Sequence, residues 1–343
     1  MKILHLNYKQ YSDTFNIENN IFYPLENFVN ENELKSILYK KRYRKKFFSF
    51  PITFGLNKSN YLNYKKFKKL ILVYKSQKIA IIDEINYFKF DHNVFGKKVF
   101  GKRYKRHSYF KEFSSENYVF LNFKIIKFYK RNIFKGFISP IEFKKKIKKF
   151  KTIAAFHTRN VPHNAHRWIH SYLIDKYDSL LIQPLIGQYK SGEYKDNLII
   201  KSNKLAAKNI KKKKVFCFPF YSYPRYGGPR ETFLHALVRK NYGCTHIWIG
   251  RDHAGYLNFY HLYGSQKFCK KNEKKIGIKI VSKKEPFYCR KKHKITNKCK
   301  FKNCNIKISG SKIRNLLSQN KKIPEIFMSN KFSKLLNKNS LIS

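Results

Sequence analysis

Carboxylates are scarce in this chain. Its 343 residues hold 20 Asp and Glu against 75 Lys and Arg, a formal net charge of +55. Such an excess ordinarily points to a nucleic-acid partner. Here the surplus is mostly lysine, spread from end to end among abundant Asn, Ile, Phe and Tyr. Those are the residues favoured when a genome drifts toward A and T. Runs such as Lys144-Lys145-Lys146 and Lys211-Lys212-Lys213-Lys214 are expected to be solvated faces or loops. No specific nucleic-acid role is expected, although non-specific attraction to polyanions, weakening with salt, is. Self-repulsion should lower stability at low ionic strength.

Long apolar runs are missing too. None approaches the roughly 20 residues that span a bilayer, so no membrane role is expected. The start, Met1 to Tyr8, is too short and polar for a secretory signal, and a cytoplasmic location is expected. Six cysteines in such a chain argue against a disulfide framework. There is no internal repeat, no Gly-x-x-x-x-Gly-Lys-Ser/Thr loop, and no evident Ser-His-Asp or Cys-His pairing.

What is present is concentrated in two polar clusters. Ile153-Ala154-Ala155-Phe156 reads as a buried strand, and Trp168 to Leu173 as an amphipathic helix. Between them lies His157-Thr158-Arg159-Asn160-Val161-Pro162-His163-Asn164-Ala165-His166. A strand running into a helix with polar groups at the junction is where open α/β sheets bind ligands. The backbone N–H groups of a helix start favour an anion. His163 and His166, three apart, should present their rings on one face.

The second cluster repeats the plan. Thr245 to Ile249 reads as a strand, ending in Gly250-Arg251-Asp252-His253-Ala254-Gly255. Before it, Tyr226 to Glu231 is a turn feeding a helix, with Pro229 in the first turn and Leu234, Leu237 and Val238 on the apolar face.

At these residues the chain resembles the ATP sulfurylase (sulfate adenylyltransferase) family. The family's first block is Gln-Thr-Arg-Asn-Pro-x-His-x-x-His. Its second runs Gly-Pro-Arg-Glu, His-Ala, Arg-Lys-Asn-Tyr-Gly and Gly-Arg-Asp-His-Ala-Gly, matched here by Gly228 to Glu231, His235-Ala236, Arg239 to Gly243 and Gly250 to Gly255. Gln183 to Gly187 is similar to His-Pro-Leu-Val-Gly, and Ile308 to Arg314 to Ile-Ser-Gly-Thr-x-x-Arg. Weaker matches at Ile21 to Phe28 and Phe50 to Thr53 extend the resemblance over nearly the whole chain.

The resemblance implies an α/β fold: a β-rich PUA-like domain over 1–137, a Rossmann-like nucleotidyltransferase domain over 138–281 and a small C-terminal subdomain over 282–343. From the residues themselves, Lys78 to Ile82 and Tyr118 to Ile125 read as strands, and Ser139-Pro140-Ile141-Glu142 as a helix start. The implied reaction joins sulfate to the α-phosphate of MgATP, releasing pyrophosphate. By the same resemblance, Arg159, Arg251, the Ala254 N–H and His157 grip sulfate. Asn160, His163 and His166 hold the phosphates, with Thr158 in the same turn. Gly250, Asp252 and His253 contact adenosine, and Val281 lines the adenine pocket. Arg230 and Arg314 are expected to be structural ion-pair partners. A phosphosulfate kinase domain is not expected, and a homodimer is.

Two departures stand out. His157 replaces the family's Gln, and its imidazole is expected to make sulfate binding weaken as pH rises through its titration. Val161-Pro162 shifts the turn proline by one. Some family members also bind a structural zinc near the end. Cys289, His293, Cys299 and Cys304 supply a shuffled Cys3His set for it, the alternative being a decayed site with free thiols. Cys217 and Cys244 read as core residues. The competing functions are another nucleotidyltransferase of the same fold and a non-catalytic nucleic-acid-binding protein using the basic surface.

Overall fold

The computed structural model describes residues 1–129, 133–187, 191–211 and 213–342. Lys212 of the 211–214 lysine run lies outside the described residues.

The N-terminal part is built on five strands in the order Lys2–His5, Leu70–Tyr74, Gln77–Phe88, Val119–Phe128 and Phe54–Leu56. The first pair is parallel and the rest antiparallel. Both predicted strands fall here. Their inner face packs aromatic rings edge to face, as between Phe54 and Phe123 at 5.2 Å.

Ser139 caps the next helix, Pro140–Ile147, in a reciprocal box with Glu142. Five parallel strands follow, in the order Val215–Cys217, Ser179–Ile186, Ile153–Thr158, His246–Trp248 and Lys279–Val281. The short Phe220–Tyr221 strand also pairs with Ser179–Ile186. Every residue of Ser179–Ile186 is buried, as a parallel strand covered on both faces requires. Alternate residues serve two cores. Ala154, Phe156 and Ile182 pack with Ile169 and Leu173 of the Asn164–Lys176 helix. Ala155, Leu181 and Ile247 belong to the larger core, which includes Leu234, Leu237 and Val238 of the Gly228–Asn241 helix.

The strand order places the site. From Ile153–Thr158 the chain moves to one side for Ser179–Ile186 and returns later on the other side as His246–Trp248. The crevice beyond the carboxyl ends of 153–158 and 246–248 is therefore the switch point of the sheet, where α/β folds bind ligands.

A three-stranded antiparallel sheet follows, with Phe287–Cys289 between Lys294–Thr296 and Asn305–Lys307. The helix Gly310–Ser318 comes next. The N-terminal part is joined to the parallel sheet by a buried ion pair, Arg225 with Asp13, the Nη2–Oδ2 distance being 2.6 Å. Asn241 Nδ2 also donates to the carbonyls of Ile21 and Tyr23. Among the described residues, no helix is long and apolar enough to cross a membrane.

Candidate active site

A cavity of about 290 Å³ opens at the switch point. His157, Thr158, Arg159, Asn160, His163 and His166 line it from the first strand-to-helix turn, and Gly250 to Ala254 from the second. Val281 does not line it. That residue pairs with Trp248 in the sheet and packs in the same core, and Trp248 lines the cavity. The aromatic partner was missed because Trp248 reads as an ordinary apolar strand residue.

The first turn is held by its own polar groups. Thr158 Oγ1 accepts from the Asn160 N–H at 3.0 Å. The Asn160 carbonyl accepts from Asn203 Nδ2 at 3.1 Å. His163 is the cap of the Asn164–Lys176 helix and not part of it: its Nδ1 accepts from the His166 N–H at 3.3 Å. An accepting Nδ1 places the ring proton on Nε2. The His163 and His166 rings still share a face, stacked at 3.7 Å. Burial holds His163 down to about 4 and His166 well below its ordinary value, the latter also pressed by His163 and His170. Both are neutral donors at pH 7, at the electropositive end of a helix.

Each expected oxyanion-gripping arginine rests near a carboxylate. Arg159 Nη1 lies 3.7 Å from Glu193 Oε1, with its guanidinium over the Tyr226 ring at 4.6 Å. Arg251 Nε lies 2.9 Å from Glu285 Oε2. The turn that carries Arg251 needs left-handed backbone at Asp252 and Ala254 (φ 51° and 54°). Gly255 lets the Asp252 carboxylate pack close to the backbone there, since an added Cβ would meet Asp252 Oδ1 at 1.9 Å.

Two arginines differ from expectation. Arg230 makes no ion pair among the described contacts; it donates to the carbonyls of Ile37, Leu38 and Ser49, closing the end of the Glu31–Lys40 helix. Arg314 lines the cavity and donates from Nη1 to Asn160 Oδ1 at 2.6 Å. Gly310, ahead of it, permits this approach, since a Cβ there would meet Asn160 Oδ1 at 2.8 Å. The Ile308 to Arg314 motif was visible in the sequence, but its target was not.

The surroundings of His157 bear on the pH dependence expected of it. Burial first, then His235 and Arg239, hold its ring well below 6.5. It stays neutral across the neutral range. Beneath it Arg239, fully buried, donates to the carbonyls of His235 and Gln183.

Away from the cavity, the sulfurs of Cys289, Cys299 and Cys304 lie 3.0 to 3.5 Å apart. This donor set fits three positions around a zinc ion. His293 is exposed, on a left-handed turn, and is not part of the group. Cys244 is buried as expected, and Cys217 only partly so.

Comparison with known proteins agrees with this architecture. The PUA-like domain family matches residues 1–126 and the ATP-sulfurylase family residues 136–339. A sulfate adenylyltransferase of Pyrococcus abyssi is 31% identical, covering 92% of this chain and 85% of its own. Those of Ignicoccus hospitalis (30% identical; 92% and 85%) and Staphylothermus marinus (28%; 97% and 89%) are similar. A solved structure, the hexameric APS kinase from Thiobacillus denitrificans, shares the fold with a TM-score of 0.74 at 14% identity. The match covers 98% of this chain and 62% of that one. By the match over 136–339 and a relative 31% identical over 92% of it, the chain belongs to the ATP-sulfurylase family.

Proposed function

We propose that this chain is a sulfate adenylyltransferase: a sulfate oxygen attacks the α-phosphorus of MgATP, forming adenosine 5′-phosphosulfate as pyrophosphate leaves. The reading is carried by one observation, that Arg159 and Arg251, from the ends of adjacent parallel strands, line a single cavity at a helix start. Sulfate is a weak nucleophile and needs no covalent intermediate if both substrates are held in line. The work is positioning and charge stabilisation.

In this reading Arg159 and Arg251 leave their carboxylates and fork around sulfate oxygens, helped by the Ala254 N–H and a neutral His157. Asn160, fixed by Arg314 and beside Thr158, receives the triphosphate. His163 and His166 donate ring N–H groups to it as charge builds on the leaving pyrophosphate. Gly250, Asp252 and His253 contact adenosine, with Trp248 in place of Val281. Magnesium arrives with the nucleotide as part of the substrate.

The parts of the chain follow the boundaries 1–137, 138–281 and 282–343. A zinc ion held by Cys289, Cys299 and Cys304 would cross-link the last of them. A homodimer in the cytoplasm belongs to the same reading. The deciding experiment is pyrophosphate release from MgATP with and without sulfate. Sulfate-dependent release supports the reading; release that ignores sulfate, or none, sinks it.

A further inference from the structure

Three imidazoles meet on the wall of the cavity. His157 lies in the 153–158 strand, His235 in the 228–241 helix and His253 beyond the 246–248 strand. One ligand atom from each lies within 4.8 Å of the other two. His235 Nδ1 and His253 Nε2 are 3.1 Å apart, and the His157 ring stacks on His235 at 4.2 Å between centroids.

The spacing of His235 and His253 matches that of two ligands on a metal ion. Two imidazole nitrogens on a tetrahedral ion, each about 2.0–2.1 Å from it, stand roughly 3.3 Å from one another. The 3.1 Å contact is close to that spacing. His235 Nε2 lies 3.7 Å from Glu231 Oε1, the carboxylate pairing that orients a ligating imidazole. Glu231 is itself fixed by the N–H groups of Arg225 and Gly227. His157 Nδ1 is buried and has no hydrogen-bond partner, a state that a ligand would relieve. Arg159 and Arg239 oppose a cation here. That opposition selects for an ion with strong imidazole affinity and against Mg²⁺.

We propose that His157, His235 and His253 form a three-imidazole site for a borderline divalent transition ion, of the Zn²⁺ or Co²⁺ kind, with its remaining coordination position open to the cavity. Gln at position 157, as in the family pattern, would remove one ligand. The site is a property of this chain's own departure, and it shares His157 and His253 with the sulfate reading, so it is tested by metal uptake and not by turnover.

The test is a Co²⁺ titration of the full chain after dialysis against a chelator, followed by visible absorption. Cobalt at Cys289, Cys299 and Cys304 reports itself by a thiolate charge-transfer band. Cobalt at the imidazoles gives ligand-field bands without one. Wild type should take up a nitrogen-ligated equivalent distinct from the thiolate one. His157→Gln and His253→Gln should each weaken that equivalent by about a hundredfold or more, leaving the thiolate band and the circular dichroism unchanged. If only thiolate-bound cobalt forms, or if both variants bind as tightly as wild type, the proposal is wrong.

Discussion

Arg314 donates to the Asn160 side chain at 2.6 Å, joining a helix near the end of the chain to the first loop of the parallel sheet. Arg314→Ala should free that amide and misplace the triphosphate, and a displacement of about 1 Å can cost on the order of a hundredfold in rate. Turnover should fall by roughly one to two orders of magnitude while the melting temperature barely moves, because Arg314 is only half-buried. Gly310→Ala should reproduce the defect through its clash with Asn160. Steady-state kinetics beside a melting curve decides it; an unchanged kcat in both variants contradicts the assignment.

Arg159→Ala removes a charged contact to the oxyanion. The expected loss is on the order of 3 kcal/mol of transition-state stabilisation, about two orders of magnitude in sulfate-dependent turnover, with the fold retained. Sulfate-dependent pyrophosphate release reads it directly, and wild-type rates would remove Arg159 from the site.

Asp13 and Arg225 are both almost fully buried, at 1% and 2% side-chain exposure. Removing one partner strands the other's charge in the interior. Asp13→Ala should cost about 3–5 kcal/mol of stability. The loss should be similar for Arg225→Ala, while the double variant should lose less than the sum of the two. Urea unfolding of the three proteins measures this, and full additivity would mean that the two charges are not coupled.

His170 is buried against the 153–158 strand, its ring edge-on to Phe156 at 4.6 Å. Burial first, then His163 and Arg167, push its pKa down to about 3 from an ordinary 6.5. The unfolded chain therefore binds a proton that the folded chain refuses. Stability is unaffected by this group above pH 6.5 and is lost progressively as pH falls from about 6.5 toward 3. His170→Gln should flatten that slope by roughly one proton in urea titrations across this range. An unaltered slope would show that the ring is already protonated in the fold.

The sulfurs of Cys289, Cys299 and Cys304 predict a metal dependence of the C-terminal sheet. Metal analysis should find zinc in the purified chain, and Cys304→Ser should lower both zinc content and melting temperature. Zinc-free protein with an unchanged melting curve would favour free thiols.

Much of this was legible in the residues. The strand 153–158, the helix after it and the capped start at Ser139 follow from apolar spacing and cap chemistry, which are local. The gathering of His157 to His166 with Gly250 to Ala254 followed from reading two strand-to-helix junctions as one sheet edge. What escaped was non-local. Nothing in the sequence says that Arg314 reaches Asn160, that Trp248 lines the cavity and Val281 does not, or that His293 stays outside the cysteine group. The His157 ring was expected to titrate near neutrality because its type suggests it. Its burial beside His235 is a property of packing that spacing does not reveal.

The two strands that carry the halves of the cavity are tied at their amino ends, where Ile153 N–H donates to Thr245 Oγ1, 92 positions further along. A nascent chain that has not reached Arg251 thus carries half a receptor, with Arg159 beside Glu193 and Tyr226 but no second guanidinium across the cavity. Pairings this distant close late in folding. The lining is complete only when the chain has passed Arg314 as well, so substrate offers little help to the emerging polypeptide.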